Sequence, residues 1–279
     1  MTRRSAASQL GSWLDQAADL PPVRALRQRR FDRLFASATG MSLYRGVYAS
    51  FAEAAASAPA SKPLGYDSPE PARMYDERLQ RVYPNDYPVL FWLARILPDV
   101  RSVFDFGGHV GVAYYAYEKY LRYPDDLQWT VLDVPAVADR GRELARERGV
   151  ARLRFAGDVA QASGTDVFLA AGSLQYVEQP LHEMLARLEQ RPAHVVINKL
   201  PLHAGQAFVT LQSIGTAFCP YHVFNREAFL DPLRGLGYEL VDEWQNPDVG
   251  CRISVDRTRG VPAYTGLYLR SSARPSRGR

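Results

Sequence analysis

The chain of 279 residues has little or nothing of several features that mark particular protein classes. It has two cysteines, Cys219 and Cys251, which make neither a metal-ligand set nor a disulfide framework. It has no run of about 18 apolar residues, so no transmembrane helix is predicted. Its N-terminus has no apolar segment typical of a secretory signal. We therefore expect a cytoplasmic protein that holds no metal and does not span a membrane.

The composition is that of a globular protein, with 47% hydrophobic and 11% aromatic residues. The length allows one large domain, or a core domain with an appendage. The net charge is only +4, and the basic residues are mostly arginine. Basic chain ends can contact nucleic acid or an anionic membrane, but a solvated surface is the favoured interpretation, and no nucleic-acid partner is expected. The arginines near the ends are Arg3, Arg4, Arg24, Arg27, Arg29, Arg30, Arg274, Arg277 and Arg279.

After residue 84 the pattern alternates between apolar strands and amphipathic helices. Apolar runs with no polar alternation are typical of parallel strands covered on both faces. The fold class predicted is therefore α/β, a doubly wound, Rossmann-like sheet of seven strands that binds its ligand at the carboxyl ends of the strands. The predicted strands end at Asp105 or span 129–132, 153–155, 166–170, 194–197, 238–241 and 263–269. Five helices are predicted. The first begins at 85, and the second follows the glycines after Asp105 and runs to about 123. The others cover 137–146 and 181–188 and follow Asn225.

The first 84 residues show no such alternation. Residues 1–60 are rich in Ala, Arg and Leu and are predicted to be helical, with Ser50 and Glu53 forming a capping box. Residues 70–83 are predicted to form another helix. We therefore divide the chain into an N-terminal helical cap region (1–84), an α/β domain (85–270) and a disordered basic tail (271–279).

One stretch, residues 103–115, has the form of a nucleotide-binding strand, turn and helix. An acid ends the strand and glycines follow it, in the order Asp-x-Gly-Gly-His-Val-Gly. This does not fit the dinucleotide pattern G-x-G-x-x-G. A carboxylate here would repel a pyrophosphate but suits an ammonium group or ribose hydroxyls. An ordinary strand–turn–helix is the alternative. The candidate binding residues are Asp105, Gly107, Gly108, His109 and Gly111.

Two more acids follow the next two predicted strands. Asp133 comes 22 residues after Gly111 and can take both hydroxyls of a ribose; Val134 beside it is a candidate contact. Gly157 and Asp158 follow the third strand. Each acid alone is equally consistent with a helix cap, but three acids at three successive strand ends favour a binding site.

The fourth strand runs into the turn 171–177. Gly172 opens this turn, Gln175 can present an amide oxygen, and Tyr176 can present an oxygen and a ring face. These three residues are therefore candidates for ligand contact. The alternative is that Leu174 and Tyr176 are only core residues.

The stretch around Asp105, Gly107 and Gly111 resembles motif I of the class I S-adenosylmethionine methyltransferases, with His109 in place of the middle glycine. Leu132-Asp133-Val134-Pro135 is similar to the D-L-P run of small-molecule O-methyltransferases. The resemblance implies S-adenosylmethionine as cofactor. It also implies that Asp158 meets the adenine amino group and that the turn 171–177 closes over the methyl-bearing sulfonium.

A closer resemblance spans about 45 to 245. It is to a family of bacterial methyltransferases often encoded with surface-polysaccharide genes. Members of that family commonly carry Arg where this chain has Lys199. The segments that carry the resemblance are 46–48, 50–54, 65–67, 104–108, Trp129, 174–176, 200–201 and Gln212.

A hydroxyl acceptor needs a base near neutral pH, and two histidines follow the fifth strand. The candidates for the acceptor side are His203, His222 and Tyr176, with Gln212 and Tyr221 as orienting groups. A packing or surface histidine is the alternative for each, and catalysis by positioning alone remains open.

The resulting hypothesis is a methyltransferase acting on a small polar acceptor, with O-methylation of a sugar or natural-product intermediate favoured. Two rivals stay open: a catalytically silent S-adenosylmethionine-binding partner protein, and an NAD-dependent oxidoreductase, which the glycine spacing disfavours. The chain has no Asn/Asp-Pro-Pro-Tyr motif, which argues against methylation of DNA bases or glutamine. The sequence leaves the acceptor's identity and the oligomeric state open.

Overall fold

The computed structural model describes residues 21–67, 76–254 and 259–272. Helices and strands alternate through most of this part of the chain. The helices are α1 (Pro21–Ala36), α2 (Phe51–Ala56), α3 (Tyr87–Ile96), α4 (Val112–Tyr117), α5 (Pro135–Glu147), α6 (Leu181–Ala186) and α7 (Arg226–Gly235). The strands are β1 (Met41–Tyr48), β2 (Ser102–Phe106), β3 (Gln128–Leu132), β4 (Leu153–Ala156), β5 (Val167–Ala171), β6 (His194–Leu200), β7 (Leu202–His203), β8 (Phe208–Ile214), β9 (Phe218–Asn225), β10 (Tyr238–Asn246) and β11 (Tyr264–Ser271).

The larger sheet has seven strands in the order β10-β11-β6-β5-β2-β3-β4. Strands β2 to β6 run parallel, and β11 is antiparallel to both of its neighbours. The chain adds β3 and β4 on one side of β2 and then β5 and β6 on its other side. The carboxyl ends of β2 and β5 therefore form the crevice where ligands bind in such sheets. This confirms the predicted doubly wound, Rossmann-like fold of seven strands.

The sheet is covered on both faces, as the apolar strands require. On one face Trp129 and Tyr114 pack with α3 and α4, and on the other Phe104 and Phe168 pack with α6 and α7. All four side chains are almost fully buried. Burial of each aromatic ring removes a large apolar area from water and anchors β2, β3 and β5 between the two helical layers.

A second, four-stranded sheet has the order β1-β8-β9-β7. It corrects the sequence analysis twice. The prediction of helix throughout 1–60 is wrong at β1, which pairs antiparallel with β8. The sequence pattern predicts no strand between β6 and α7, yet this region forms β7, β8 and β9. The second sheet is therefore built from both an N-terminal segment and the segment between β6 and α7.

Several element ends also differ from the prediction. Helix α4 ends at Tyr117, not near Tyr123. Of the helix predicted at 70–83, the structure shows a 3₁₀ helix at Asp76–Gln80, and residues 68–75 lie outside the described ranges. The predicted helix before residue 21 and most of the predicted tail lie outside them too. Within those ranges, no helix has the length and apolar character needed to cross a bilayer.

Candidate functional site

The turn after β2 is packed directly against the turn after β5. Gly107 has a φ of +70°, and a Cβ at this position would collide with the Cβ of Ser173. Ser173 Oγ donates to the backbone carbonyl of Phe106 at 2.5 Å. The Gly107 N–H donates to the carbonyl of Leu132 at 2.7 Å. Only glycine allows this approach, so Gly107 joins the ends of β2, β3 and β5 into one surface.

Asp105 lies under this turn and is 1% exposed. Its Oδ2 accepts a hydrogen bond from Trp129 Nε1 at 3.1 Å, and a Cβ on Gly108 would collide with its carboxyl group. Burial raises the pKa of Asp105 to about 7; the Trp129 hydrogen bond lowers it and the charge of Asp133 raises it. The structure thus gives Asp105 a supporting position, and its contact with a ligand stays a prediction.

His109 connects the turn to the end of β3. Its backbone has a φ of +58°, the left-handed conformation in which a glycine is expected. Its N–H donates to Asp133 Oδ2 at 2.8 Å, and the Val134 N–H donates to Asp133 Oδ1 at 2.8 Å. The imidazole is buried, with an edge-on contact to Tyr66 at 6.2 Å between ring centroids. The middle glycine of the motif is thus replaced without loss of the loop conformation. Buried Gly111, with a φ of +93°, then leads into α4.

Asp133 is held at the end of β3 in a group of acids. Burial raises its pKa to about 6, the two backbone N–H bonds lower it, and Asp67 raises it. Asp67 Oδ1 accepts from the N–H of Ala136 at the start of α5. Sequence reasoning gave no site role to Asp67 or to Tyr66. The available signal was their place, with Gly65, among the segments that carry the family resemblance.

Asp158 lies at the next strand end, since Ala156 of β4 pairs with Leu132 of β3. Its Oδ1 accepts from the N–H of Ala160 at 2.7 Å and caps a 3₁₀ helix at Val159–Ala162. Gly157 and Asp158 are both exposed. The capping interpretation is therefore confirmed for Asp158, and a contact with adenine stays a prediction.

Gln175 carries an unpaired polar atom into the turn after β5. The side chain is 3% exposed, and its Oε1 is buried with no hydrogen-bond partner among the described residues. A Cβ built on Gly172 would lie 3.8 Å from Gln175 Nε2. Leaving a buried carbonyl oxygen unpaired is costly. The arrangement fits a ligand that brings a hydrogen-bond donor or a positive charge.

Tyr176, in the same turn, packs edge-on against the buried ring of Tyr221. It is 37% exposed, whereas Leu174 is buried, so the core interpretation holds for Leu174 alone. The Tyr176 hydroxyl donates to Gln212 Oε1 at 2.8 Å, and Gln212 Nε2 donates to the hydroxyl of Tyr44 at 3.0 Å. Tyr176 is thereby held between the two sheets.

The chain of hydroxyl groups continues into the second sheet. The Tyr44 and Tyr264 hydroxyls lie 3.1 Å apart, and the Tyr221 hydroxyl donates to Tyr264 at 2.8 Å. Burial raises the pKa of Tyr44 to about 12 and those of Tyr221 and Tyr264 well above the ordinary value. These groups stay neutral near pH 7, so they orient neighbours and do not remove protons. The involvement of Tyr44 and Tyr264 was not predicted.

His222 lies on β9 against the segment that follows Tyr176. Its ring contacts Phe51 edge-on at 5.2 Å between centroids. Burial lowers its pKa, while a hydrogen bond with the backbone of Val177 and the charge of Glu178 raise it. Its Nδ1 is buried and has no hydrogen-bond partner within the described ranges. The imidazole is therefore neutral near pH 7 and can accept a proton.

His203, the other candidate base, is tied to its own loop. Its Nδ1 accepts from the N–H of Gly205 at 3.0 Å, and its ring contacts Phe208. Of the two histidines, His222 is the one that the structure places beside the turn after β5. In the described part of the chain, no cluster of three or more His, Cys, Asp or Glu side chains is arranged to hold a metal ion.

No protein-family model and no curated protein matches the chain. Among solved structures, it is similar to the N-terminal domain of EvdMO1 with SAH bound, at 16% identity and a TM-score of 0.44, over 70% of this chain and 83% of that one. It is similar to the mitomycin 7-O-methyltransferase MmcR at 17% identity and a TM-score of 0.41, over 67% of this chain and 54% of that one. It is also similar to magnesium protoporphyrin IX methyltransferase (ChlM) from Synechocystis PCC 6803 with bound SAM, at 12% identity and a TM-score of 0.43, over 67% of this chain and 81% of that one.

Proposed function

We propose that the chain is an S-adenosylmethionine-dependent methyltransferase that acts on a hydroxyl group of a small polar acceptor. The observation that carries the proposal is the pair of turns after β2 and β5. Gly107 and Ser173 press these turns together, and the unpaired Oε1 of Gln175 is buried beside them. The close contact between the two turns leaves a backbone surface that a ligand can approach. The unpaired Gln175 oxygen carries a partial negative charge, so it suits a cationic nucleoside better than an anionic one.

The residues at the strand ends fit the parts of this cofactor. Asp133, whose oxygens each keep a lone pair after their backbone hydrogen bonds, would accept from the ribose hydroxyls. Asp158, on the neighbouring strand end, would meet the adenine. Gln175 and Gly172 would lie beside the sulfonium and the amino-acid part that is attached to it. When bound, the cofactor supplies an electrophilic methyl group on a positively charged sulfur.

The acceptor side is formed by Tyr176, Gln212 and His222. The Tyr176 hydroxyl donates a hydrogen bond to Gln212 Oε1, which fixes its orientation on the acceptor side. His222 is neutral because burial lowers its pKa, and it would take the proton as the acceptor oxygen reacts. The rings of Phe51 and Phe224, which pack against His222, would exclude water and help to hold the acceptor in place. The resemblance to polysaccharide-associated methyltransferases favours a sugar or natural-product hydroxyl.

Turnover with S-adenosylmethionine labelled with ¹³C in its methyl group tests this directly. The protein is incubated with a panel of hydroxylated sugars and phenols, and the products are read by NMR. We expect a new O-methyl signal that disappears in the His222→Ala variant. Binding of S-adenosylhomocysteine without transfer to any oxygen, nitrogen or carbon acceptor would support the silent partner protein instead.

A further inference from the structure

Lys199 is the second-last residue of β6 and combines an unusual backbone conformation with a partly buried ion pair. Its φ is +57°, which non-glycine residues rarely adopt. Its Nζ lies 2.8 Å from Asp86 Oδ1, and the two side chains are 20% and 10% exposed. Strained backbone of this kind persists where the surrounding structure imposes it, and it concentrates at functional sites.

Asp86 is occupied by the protein itself. Its Oδ2 accepts from the N–H of Tyr83 at 3.0 Å, and the buried hydroxyl of Tyr117 also hydrogen-bonds to its carboxylate. Asp86 therefore fixes the position of the Lys199 ammonium group. A lysine ammonium has three N–H donors, and within the described residues Asp86 uses one of them. The other two have no partner among the described residues and can donate to a ligand.

The side chain of Lys199 runs alongside the turn after β5. A Cβ built on Gly172 would lie 3.6 Å from Lys199 Cβ and 3.7 Å from Lys199 Cδ. The same point lies 3.8 Å from Gln175 Nε2. The lysine stem and the Gln175 amide therefore flank one small space, and the buried Oε1 of that amide has no partner in the described part of the chain.

We propose that this space binds the amino-acid end of the cofactor, an inference that rests on the proposed function. Lys199 donates to the α-carboxylate, and Gln175 Oε1 accepts from the α-ammonium. A cationic donor beside a neutral acceptor oxygen is complementary to a zwitterion. Asp86 is a positioning residue, because its carboxylate is filled by Tyr83, Tyr117 and Lys199 and contacts no ligand directly.

The test compares two ligands by calorimetry. S-adenosylhomocysteine carries the zwitterion, whereas 5′-methylthioadenosine lacks it and fills only the nucleoside part. Lys199→Met should weaken binding of S-adenosylhomocysteine by about tenfold to a hundredfold, the range for loss of a hydrogen bond to a charged group. Its affinity for 5′-methylthioadenosine should not change, which also shows that the variant is folded.

Further variants separate charge from packing. Lys199→Arg should retain most of the affinity for S-adenosylhomocysteine. Asp86→Asn should weaken S-adenosylhomocysteine less than Lys199→Met does and leave 5′-methylthioadenosine unaffected. Lys119→Met removes an exposed lysine and serves as the matched control, with both affinities unchanged.

Equal losses for the two ligands in Lys199→Met, or no loss for either, would overturn the inference. Unchanged binding of S-adenosylhomocysteine with a raised KM for an anionic acceptor would also overturn it and place Lys199 on the acceptor side. If the unmodified protein bound neither ligand, the proposed function itself would fail, and that failure is distinct from the outcomes above.

Discussion

The backbone N–H of His109 donates to Oδ2 of Asp133 at 2.8 Å and ties the turn after β2 to the end of β3. The hydrogen bond depends on the left-handed conformation of His109, with a φ of +58°. A carboxylate that is hydrogen-bonded in this way is already oriented before a ligand arrives. The residue that departs from the glycine pattern therefore preserves the geometry that the pattern serves.

Replacing His109 tests whether its backbone or its imidazole matters. His109→Gly should fold and change the affinity for S-adenosylhomocysteine by less than about tenfold, because glycine adopts the same conformation. His109→Ala removes the same ring but keeps the strain of a Cβ. We expect it to be about 1 kcal/mol less stable than His109→Gly in urea unfolding. Equal stability of the two variants, or loss of binding in the glycine variant, would contradict this account of the loop.

Asp133 should be the acid on which cofactor affinity depends most. Asp133→Ala removes charge-assisted bonds to a ribose and also frees the turn, so binding should weaken by about 2–4 kcal/mol. Calorimetry with S-adenosylhomocysteine measures this. Asp139→Ala, which removes an exposed acid on α5, is the control and should bind normally. Unchanged affinity in a folded Asp133→Ala protein would remove Asp133 from the site.

The parts of the fold that sequence predicted are those with a local signal. Strand β2, its glycines and the acid at its end are contiguous in the chain, and the apolar runs of β3, β5 and β6 are unbroken. Local spacing alone placed Asp133 and Asp158 at adjacent strand ends. It did not show that each Asp133 carboxylate oxygen accepts a hydrogen bond from a backbone N–H group, because these bonds depend on the conformation of the turn.

The second sheet was missed for physical reasons. All seven residues of β8 are buried, so it lacks the alternation that marks a strand with one exposed face. Strand β9 contains Pro220, which argues against a central strand. The structure accommodates it because β7 pairs with β9 only at Phe224 and Asn225. The Tyr44–Tyr264 contact joins residues far apart in sequence, and no local pattern reports such a pairing.

Asp105 should make stability depend on pH. Its folded pKa of about 7 lies above its ordinary value of 3.8. Its contribution is therefore full below about pH 4 and is lost as the pH rises through 7. Between pH 5 and pH 8 the unmodified protein should lose on the order of 2–3 kcal/mol of unfolding free energy relative to Asp105→Asn. Asparagine keeps an acceptor for Trp129 and does not ionise. Parallel pH profiles in urea unfolding would show that Asp105 is not the titrating group.

His222 should govern turnover and not cofactor binding. His222→Ala should bind S-adenosylhomocysteine normally and lose about 10²–10⁴-fold in kcat. In the unmodified enzyme the rate should fall at acidic pH, where the imidazole is protonated, since burial places its pKa below the ordinary value. The deficit of the variant should shrink at high pH, where the acceptor ionises unaided.

His203→Ala is the matched comparison for that experiment and should keep most of the activity, because its ring is engaged by Gly205. Full activity in both single variants and in the double variant would point to catalysis by positioning alone.

The central claim is the identity of the cofactor, and calorimetric titration of the unmodified protein with S-adenosylhomocysteine and, separately, with NADH tests it most directly. The turn after β2 lacks the dinucleotide glycine pattern, and the buried, unpaired oxygen of Gln175 does not suit a pyrophosphate. We predict saturable binding of S-adenosylhomocysteine at one site per chain and no heat of binding with NADH. Binding of NADH together with no binding of S-adenosylhomocysteine would contradict the account.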